Sequence, residues 1–455
     1  MNQDIFPYPI KRIGIIGGGQ LGKMVALAAK QMGFYVTVLD ATPQCPAAHI
    51  ADAQIVGSLH DADKLRALAK VSEVLTYEIE HIDTQTLKSL HNEGHTIYPS
   101  PAVLEIIQDK LKQKQVLAQH GIPVPHFEAV EELTAEALAK LHFPIVQKAR
   151  KGGYDGKGVV VLKSPADVKN VLQTPSMLEE FVDFTKELAI MIARTPMGEM
   201  ACYPVVEMVF DEKTNICDIV AAPARIDEAT MEKARHVALH AIDALEGVGV
   251  FGVEMFLTRD GQVLVNEIAP RPHNSGHYTI EACVTNQFEQ LIRVISGLPL
   301  GVSELLKPAA MLNLLGEDGY SGQPVIEGLH EALAIPGLSF HFYDKASTRP
   351  FRKMGHITIL DDKLDNAIAK IQRVKNILKV SGSTQKTTRI KYKHAKPTTN
   401  KINSGVPVKP RFQTTFGLSL FIFNPCSSCS LEKKNEKEDE KDVINGTDEE
   451  RKTSV

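Results

Sequence analysis

Residues 251–267, Phe-Gly-Val-Glu-Met-Phe-Leu-Thr-Arg-Asp-Gly-Gln-Val-Leu-Val-Asn-Glu, set two apolar, β-prone runs on either side of Asp260-Gly261. Asp-Gly is the preferred pair for a tight two-residue hairpin turn. With that pair at the tip, Arg259 faces Gln262, and counting outward puts Glu254 opposite Glu267. Directly opposed residues of an antiparallel pair carry side chains about 5 Å apart on one face, where like charges destabilise the sheet. Two carboxylates held that close favour sharing a cation, and oxygen ligands of this kind suit magnesium. The alternative is a plain hairpin with one Glu exposed and the other salt-bridged. Asn266, a further oxygen ligand, and the polar stretch holding Arg271, His273, Asn274 and His277 favour the metal site.

Composition narrows the class. At 455 residues, with 43% hydrophobic and 23% charged, the chain has ample core for two or three domains. A formal net charge of −4 gives no support for a nucleic-acid partner. No apolar run reaches the roughly 18 residues of a membrane span. The start, Met-Asn-Gln-Asp-Ile-Phe-Pro, lacks the pattern of a signal peptide. Of six cysteines, Cys45, Cys202, Cys217 and Cys283 are scattered, which fits a reducing, cytoplasmic location better than a disulfide framework.

Residues 11–40 read as strand, glycine turn, helix, strand: an apolar run, then Gly17-Gly-Gly-Gln-Leu-Gly22, then a helix pattern, then a second run ending at Asp40. Alone this spells a dinucleotide site with Asp40 on a ribose, but a glycine turn at a helix N-terminus holds any anion equally well. The motif predicts a Rossmann-like unit and leaves its ligand open. Glu78 and Glu80 follow a further predicted strand, Val74–Glu78, at the carboxyl edge where open α/β sheets bind ligands.

Residues 143–162 predict two strands joined by a loop holding Lys148, Gly152, Gly153, Tyr154, Asp155, Gly156, Lys157 and Gly158. Glycines let backbone N–H groups close over phosphates, and the cations offset their charge. No Ser or Thr follows Lys157, so this is not a P-loop. Ser176–Val182 predicts an apolar strand, with Glu187 beyond it; backbone and neighbouring carboxylates there suit an adenine edge and a ribose diol.

Helix lysine, strand lysine, glycine loop, apolar strand and paired acids occur in an order that resembles the ATP-grasp superfamily. Within it the chain is similar to the 5-(carboxyamino)imidazole ribonucleotide synthase family of purine biosynthesis. The matching motifs are Gly17–Gly22, Thr76–Glu80, Gly152–Gly158, Asn266–His277, and Tyr343-Asp-Lys followed by Arg349–His356, across about residues 11–380.

The resemblance implies an α/β and α+β architecture. It comprises a Rossmann-like pre-ATP-grasp domain over 1–100 and an ATP-grasp domain over 101–300, with a lid at about 120–185. A small β-rich C-terminal domain over 301–380 would follow. It implies Lys110 and Lys148 on ATP phosphates, residues 152–158 as a mobile cover, Glu179, Glu180, Phe181 and Val182 around adenine, and Glu187 on the ribose. Asn266 and Glu267 would also contact the nucleotide, and Glu254 with Glu267 would hold Mg2+, with Mn2+ as a substitute. Asp155, Arg271 and His273 would be catalytic. Gly19, Gln20, Leu21, Glu78, Asn274, Ser275, His277, Lys345, Arg352 and Lys353 would contact the ribonucleotide substrate, Lys345, Arg349, Arg352 and Lys353 supplying cations for its phosphate. The implied reaction consumes ATP, bicarbonate and aminoimidazole ribonucleotide, in a homodimer, with no nucleic-acid or membrane partner.

Three positions depart from the family pattern. Lys110 and Lys157 stand where Arg is common, and Phe351 stands where many relatives have glycine. Beyond 380 the composition turns basic, then apolar at 416–423, then mixed in charge, with a lone Cys426-Ser-Ser-Cys429. Such a segment, 381–455, reads as a low-complexity, disordered tail without an assigned role. Three other readings stay open: an ATP-grasp ligase for another amine, an NAD-dependent oxidoreductase, and a silent nucleotide-binding regulator.

Overall fold

The computed structural model describes residues 12–131, 133, 141–153, 158–211 and 216–385. Tyr154, Asp155, Gly156, Lys157 and the tail from residue 386 lie outside the described residues, and so do the expectations placed on them.

The first layer is a parallel sheet of β1 (Arg12–Ile16), β2 (Tyr35–Asp40), β3 (Ala53–Val56), β4 (Val74–Tyr77) and β5 (Thr96–Ile97), in the order β3-β2-β1-β4-β5. Parallel strands covered by helices on both faces read as continuous apolar runs, and Ile13, Ile15, Ile16, Val36, Val38 and Leu39 are all fully buried. The helix Gln20–Gln31 starts directly after the glycine turn and buries Leu21, Met24, Val25, Ala28 and Ala29, the i, i+3, i+4 stripe of a core-facing helix.

A four-stranded antiparallel sheet follows: β6 (Phe127–Val130), β7 (Ile145–Ala149), β8 (Val159–Leu162) and β9 (Ser176–Glu180), ordered β6-β9-β7-β8. The glycine-rich segment connects β7 to β8, strand to strand as its composition predicts.

The chain then builds β10 (Phe184–Arg194), β11 (Met200–Cys202), β12 (Val206–Phe210), β13 (Cys217–Ala222), β14 (Gly249–Thr258) and β15 (Val263–Ala269). Alternation sorts their faces. Leu188, Ile190, Val253, Met255 and Leu257 pack with the helix Glu228–Ala244, while Glu187, Ala189, Glu254 and Phe256 point the other way.

The last strands are β16 (Ala309–Leu315), β17 (Tyr320–Glu327), β18 (Leu338–Phe342), β19 (Lys353–Leu360) and β20 (Lys379–Gln385). β16 pairs with β13, so one sheet, ordered β15-β14-β10-β12-β13-β16-β19-β18, continues through the boundary expected near residue 300. β17 and β20 form a separate ribbon. The tail expected from 381 therefore starts too early: Val380 is buried, and Val380 to Gln385 remain paired to β17. A pattern reading misses this strand because Gly382, Ser381, Ser383 and Thr384 carry no apolar alternation. Among the described residues no helix is long and apolar enough to cross a membrane.

Candidate active site

Glu254 does stand opposite Glu267, but by a different route from the one the turn predicts. Thr258 faces Gln262 through the bond from its N–H to the Gln262 carbonyl at 3.0 Å, so the loop is the longer Arg259-Asp260-Gly261, with Gly261 at φ 77°. That is the three-residue hairpin in which the last position needs the left-handed region. The register it starts, Leu257 to Val263 and Met255 to Val265, would put Glu254 against Asn266. A bulge between Glu254 and Met255 makes Asn266 the extra residue and restores the pairing of the acids. Asn266 and Glu267 both meet lysines of the cleft: Lys148 Nζ donates to Asn266 Oδ1 at 2.9 Å, and Lys110 Nζ bonds Glu267 Oε2.

Burial, reinforced by the neighbouring Glu267 and Glu187, pushes the Glu254 carboxyl up to about 8. Lys110 first, with Lys148 and His273 behind it, holds Glu267 down to about 2. Glu187 on β10 is likewise pushed up to about 7 by burial and by Glu267. Lys110 therefore bonds one of three clustered acids, Glu267, and Lys148 lowers both Glu267 and Glu187 from further away. The donor set fits a divalent ion at Glu254 and Glu267, whose charge would let Glu254 ionise.

Behind this group lies a buried ion-pair network. Glu179, expected at the adenine, is 2% exposed and is gripped from two sides: Lys114 Nζ at 2.6 Å from Oε1, and Lys148 Nζ on Oε2. Burial alone would raise Glu179, but the two ammonium groups override it and keep the carboxyl ionised. Lys114 also donates to the Val265 carbonyl at 2.8 Å, and burial lowers its own value to about 8. The Glu179 side chain thus fixes Lys148. The Glu180 N–H is bonded to the His126 carbonyl at 2.9 Å, while Phe181 is exposed and Val182 half-buried. Lys110 is anchored in turn, because Arg150 forks onto Asp109, the cap of its helix, at 2.7 and 3.1 Å.

The glycine turn is already filled. Glu78 accepts from the Gly19 N–H at 2.6 Å and the Gly22 N–H at 3.1 Å, and Asp40 accepts from the Gly18 N–H at 2.8 Å. The chain's own carboxylates occupy the place a dinucleotide pyrophosphate would take, which removes the NAD reading. Burial, partly offset by those amides, raises Glu78 to about 7. Leu21 is core rather than ligand surface, whereas Gln20 is half-exposed.

The loop after β15 closes over the same cleft. Arg271 pairs with Glu80 at 2.8 Å, His273 Nε2 lies 3.2 Å from Glu254 Oε1, and His273 Nδ1 shares a 2.9 Å bond with the Ser275 hydroxyl. Gly252 permits this approach, since a Cβ there would sit 2.5 Å from His273 Cβ. Gln287, fully buried, clamps His273 by accepting from its N–H and donating to its carbonyl, both at 2.9 Å. Two residues expected against substrate are instead interior: Ser275 is 1% exposed and His277 is 0% exposed. Asn274 is bonded to Asn313. Lys345, Arg352 and Lys353 do converge, with Lys345 donating to the Lys353 carbonyl at 2.7 Å and Arg352 to Ser347 O at 2.7 Å.

Three sequence profiles match this chain in order: a ribonucleotide synthetase preATP-grasp domain over 10–108, an ATP-grasp domain over 115–288, and a phosphoribosylaminoimidazole carboxylase C-terminal domain over 309–370. N5-carboxyaminoimidazole ribonucleotide synthase of Synechococcus elongatus is 42% identical over 359 residues, 77% of this chain and 90% of that protein. The chain belongs to the N5-carboxyaminoimidazole ribonucleotide synthase family. The chloroplastic phosphoribosylaminoimidazole carboxylase of Vigna aconitifolia is also 42% identical, over 78% of this chain, but the match spans only 65% of that longer protein. Among solved structures, the Thermotoga maritima synthetase superposes with a TM-score of 0.76 at 57% identity, covering 82% of this chain and all of that one. The Aspergillus clavatus synthase, solved with ADP and 5-aminoimidazole ribonucleotide, gives 0.74 at 36% identity over 80% of this chain and 98% of that one.

Membership makes this an ATP-grasp ligase of the synthase type and accounts for the clustering of cations around one acidic hairpin. The residues that position the family motifs, Lys114, Arg150, Gln287 and Asn313, went unnoticed in the sequence because each acts across a long separation. A single signal existed for Lys114: it falls four residues after Lys110, on the same face of one helix.

Proposed function

We propose that the chain carboxylates 5-aminoimidazole ribonucleotide, using ATP and bicarbonate, to give the N5-carboxyamino product. The observation that carries this reading is the facing pair Glu254 and Glu267, with Lys110 and Lys148 on one side and Arg271 and His273 on the other. Glu254, Glu267 and Asn266 would hold Mg2+, which supplies neutralisation of charge on the transferring phosphoryl group. A bicarbonate oxygen attacks the γ-phosphorus, the bond to ADP breaks, and carboxyphosphate forms. The exocyclic amine then attacks the carboxyl carbon, phosphate leaves, and the nitrogen loses one proton.

Each step asks the chain for position and charge more than for a nucleophile. Lys110 and Lys148 would stabilise the phosphates, with Glu187 on the ribose and residues 179–182 along the adenine. Arg271 and His273 would hold bicarbonate and then carboxyphosphate. Gly19, Gln20 and Glu78 would face the imidazole and ribose, and Lys345, Arg352 and Lys353 would take the substrate phosphate. The reading includes a homodimer working in the cytoplasm, which sedimentation and fractionation test. The deciding assay is ADP release by the purified chain: it should require bicarbonate and 5-aminoimidazole ribonucleotide together. ADP formed equally well with unrelated amines would refute the assignment.

A further inference from the structure

A buried polar seam joins the loop that bears Arg271 and His273 to the strands that bear the phosphate-binding lysines. On one side lie Asn274, His277 and Glu281, spaced three and four residues apart as on one helical face. On the other lie Asn313 of β16, His356 of β19 and His341 of β18, which are direct cross-strand neighbours: Asn313 pairs with His356, and His356 with His341.

The two rows meet residue for residue. Asn274 and Asn313 exchange amide bonds at 2.9 and 2.7 Å. The rings of His277 and His356 lie 4.7 Å apart. Glu281 Oε1 lies 2.5 Å from His341 Nε2. The seam is fixed at its flanks: Asn313 also donates to the Cys217 carbonyl at 2.8 Å, Tyr343 OH bonds His356 Nδ1 at 2.9 Å, and His341 stacks on His356 at 4.4 Å. His277 and His356 are both 0% exposed, and Asn313 is 4% exposed.

We propose that this seam is a register lock for the proposed reaction: Asn313, His356 and His341 are positioning residues that fix Lys345 and Lys353 relative to Arg271 and His273. The chain distances are short. Lys353 lies three residues before His356 on the same strand, and Lys345 lies two after Tyr343, with its ammonium 5.6 Å from that ring. Sliding one row against the other would separate the amine of a bound ribonucleotide from the carboxyl donor, while the nucleotide site formed by Lys110, Lys148 and Glu267 stays as it is. A carboxyphosphate that misses its acceptor decomposes, so ATP cleavage would lose its coupling to product.

The proposal rests on the carboxylation reading, and the test separates the two. Asn313→Leu and His356→Phe are assayed for ADP and for carboxylated product, alongside the unaltered chain and an Ile371→Val control in the helix Leu364–Ile377. The expected result is a KM for 5-aminoimidazole ribonucleotide raised about tenfold or more, with ADP exceeding product and the KM for ATP within about twofold. The control should lower Tm without altering either KM or the ratio. If Asn313→Leu does not fold, His341→Gln, at the part-exposed end of the seam, should show the same split at about threefold. Folded variants that keep one ADP per product, or that weaken ATP and ribonucleotide alike, overturn the lock. An unaltered chain without ribonucleotide-dependent ADP release overturns the carboxylation reading and the lock with it.

Discussion

Lys148 and Lys114 hold opposite oxygens of the same buried carboxylate, Glu179, and through it the lysine on β7 is tied to a lysine of the helix Lys110–Gln119. The Lys148 ammonium, proposed for an ATP phosphate, is thereby held in place within the cleft. Removing one partner of a buried ion pair leaves uncompensated charge.

Lys114→Met should therefore destabilise the chain by about 3 kcal/mol, since Glu179 keeps Lys148 but the Val265 carbonyl loses its donor. Urea unfolding measures it. ATP affinity should fall as well, because Lys148 is then left as sole partner of Glu179. A variant as stable as the parent would refute the structural role.

Glu267→Gln should lower turnover about 100-fold or more while the fold stays intact, since it removes one of two facing acids and the partner of Lys110. Steady-state ADP release with circular dichroism as control checks this, and unchanged turnover would count against the metal assignment.

Glu254 supplies a pH signature. Its carboxyl rises from 4.5 to about 8 on folding, so the folded chain binds the extra proton between those values. Its contribution to stability accordingly declines as pH rises from about 4.5 through about 8. Glu267 has the opposite sign: lowered to about 2, it contributes stability that is lost as pH falls from 4.5 toward 2. Because a divalent ion needs the ionised form, Mg·ADP binding below pH 8 should release close to one proton. Calorimetry in buffers of different ionisation enthalpy reads that number, and zero release at pH 6.5 would be the contrary result.

Glu78→Leu should cost about 2 kcal/mol, because the Gly19 and Gly22 amides lose their acceptor. Glu78→Gln, which keeps one acceptor oxygen, should recover part of that. Thermal unfolding of the pair separates lost bonding from lost charge.

Phe351 sits at φ 62°, a region that costs a bulky residue strain and glycine none, between Arg349 and Arg352, which are proposed for the substrate phosphate. Phe351→Gly should leave stability equal or raise it by up to about 1 kcal/mol, judged by denaturation midpoint. A clear loss would show that the ring packs usefully.

Much of the site was legible from local pattern. The β14–β15 hairpin follows from alternation and Asp-Gly, and the strand-to-strand glycine loop from composition. The facing acids were reached by a count in which two local irregularities cancel: a loop longer by one residue and a bulge at Asn266. Turn type and bulge are settled by packing of Met255 and Val265 against the helix Glu228–Ala244, which alternation alone does not encode. The strand position of Glu179 is legible but its ion-pair partner is not: Lys114 lies 65 residues upstream on another element. The resemblance places Ser275 and His277 against substrate, whereas the fold buries them, Ser275 against Met191 and His277 against Gln287 and His356.

The pairing of Lys110 with Glu267 means that the resting cleft is already charge-balanced from within. On the proposed function, arrival of a metal nucleotide would be a change of partners: with the Glu267 carboxylate turned to the ion, the Lys110 ammonium would be left beside the phosphates. Lysine, a compact point charge on a flexible stem, suits such a handover better than a planar guanidinium would.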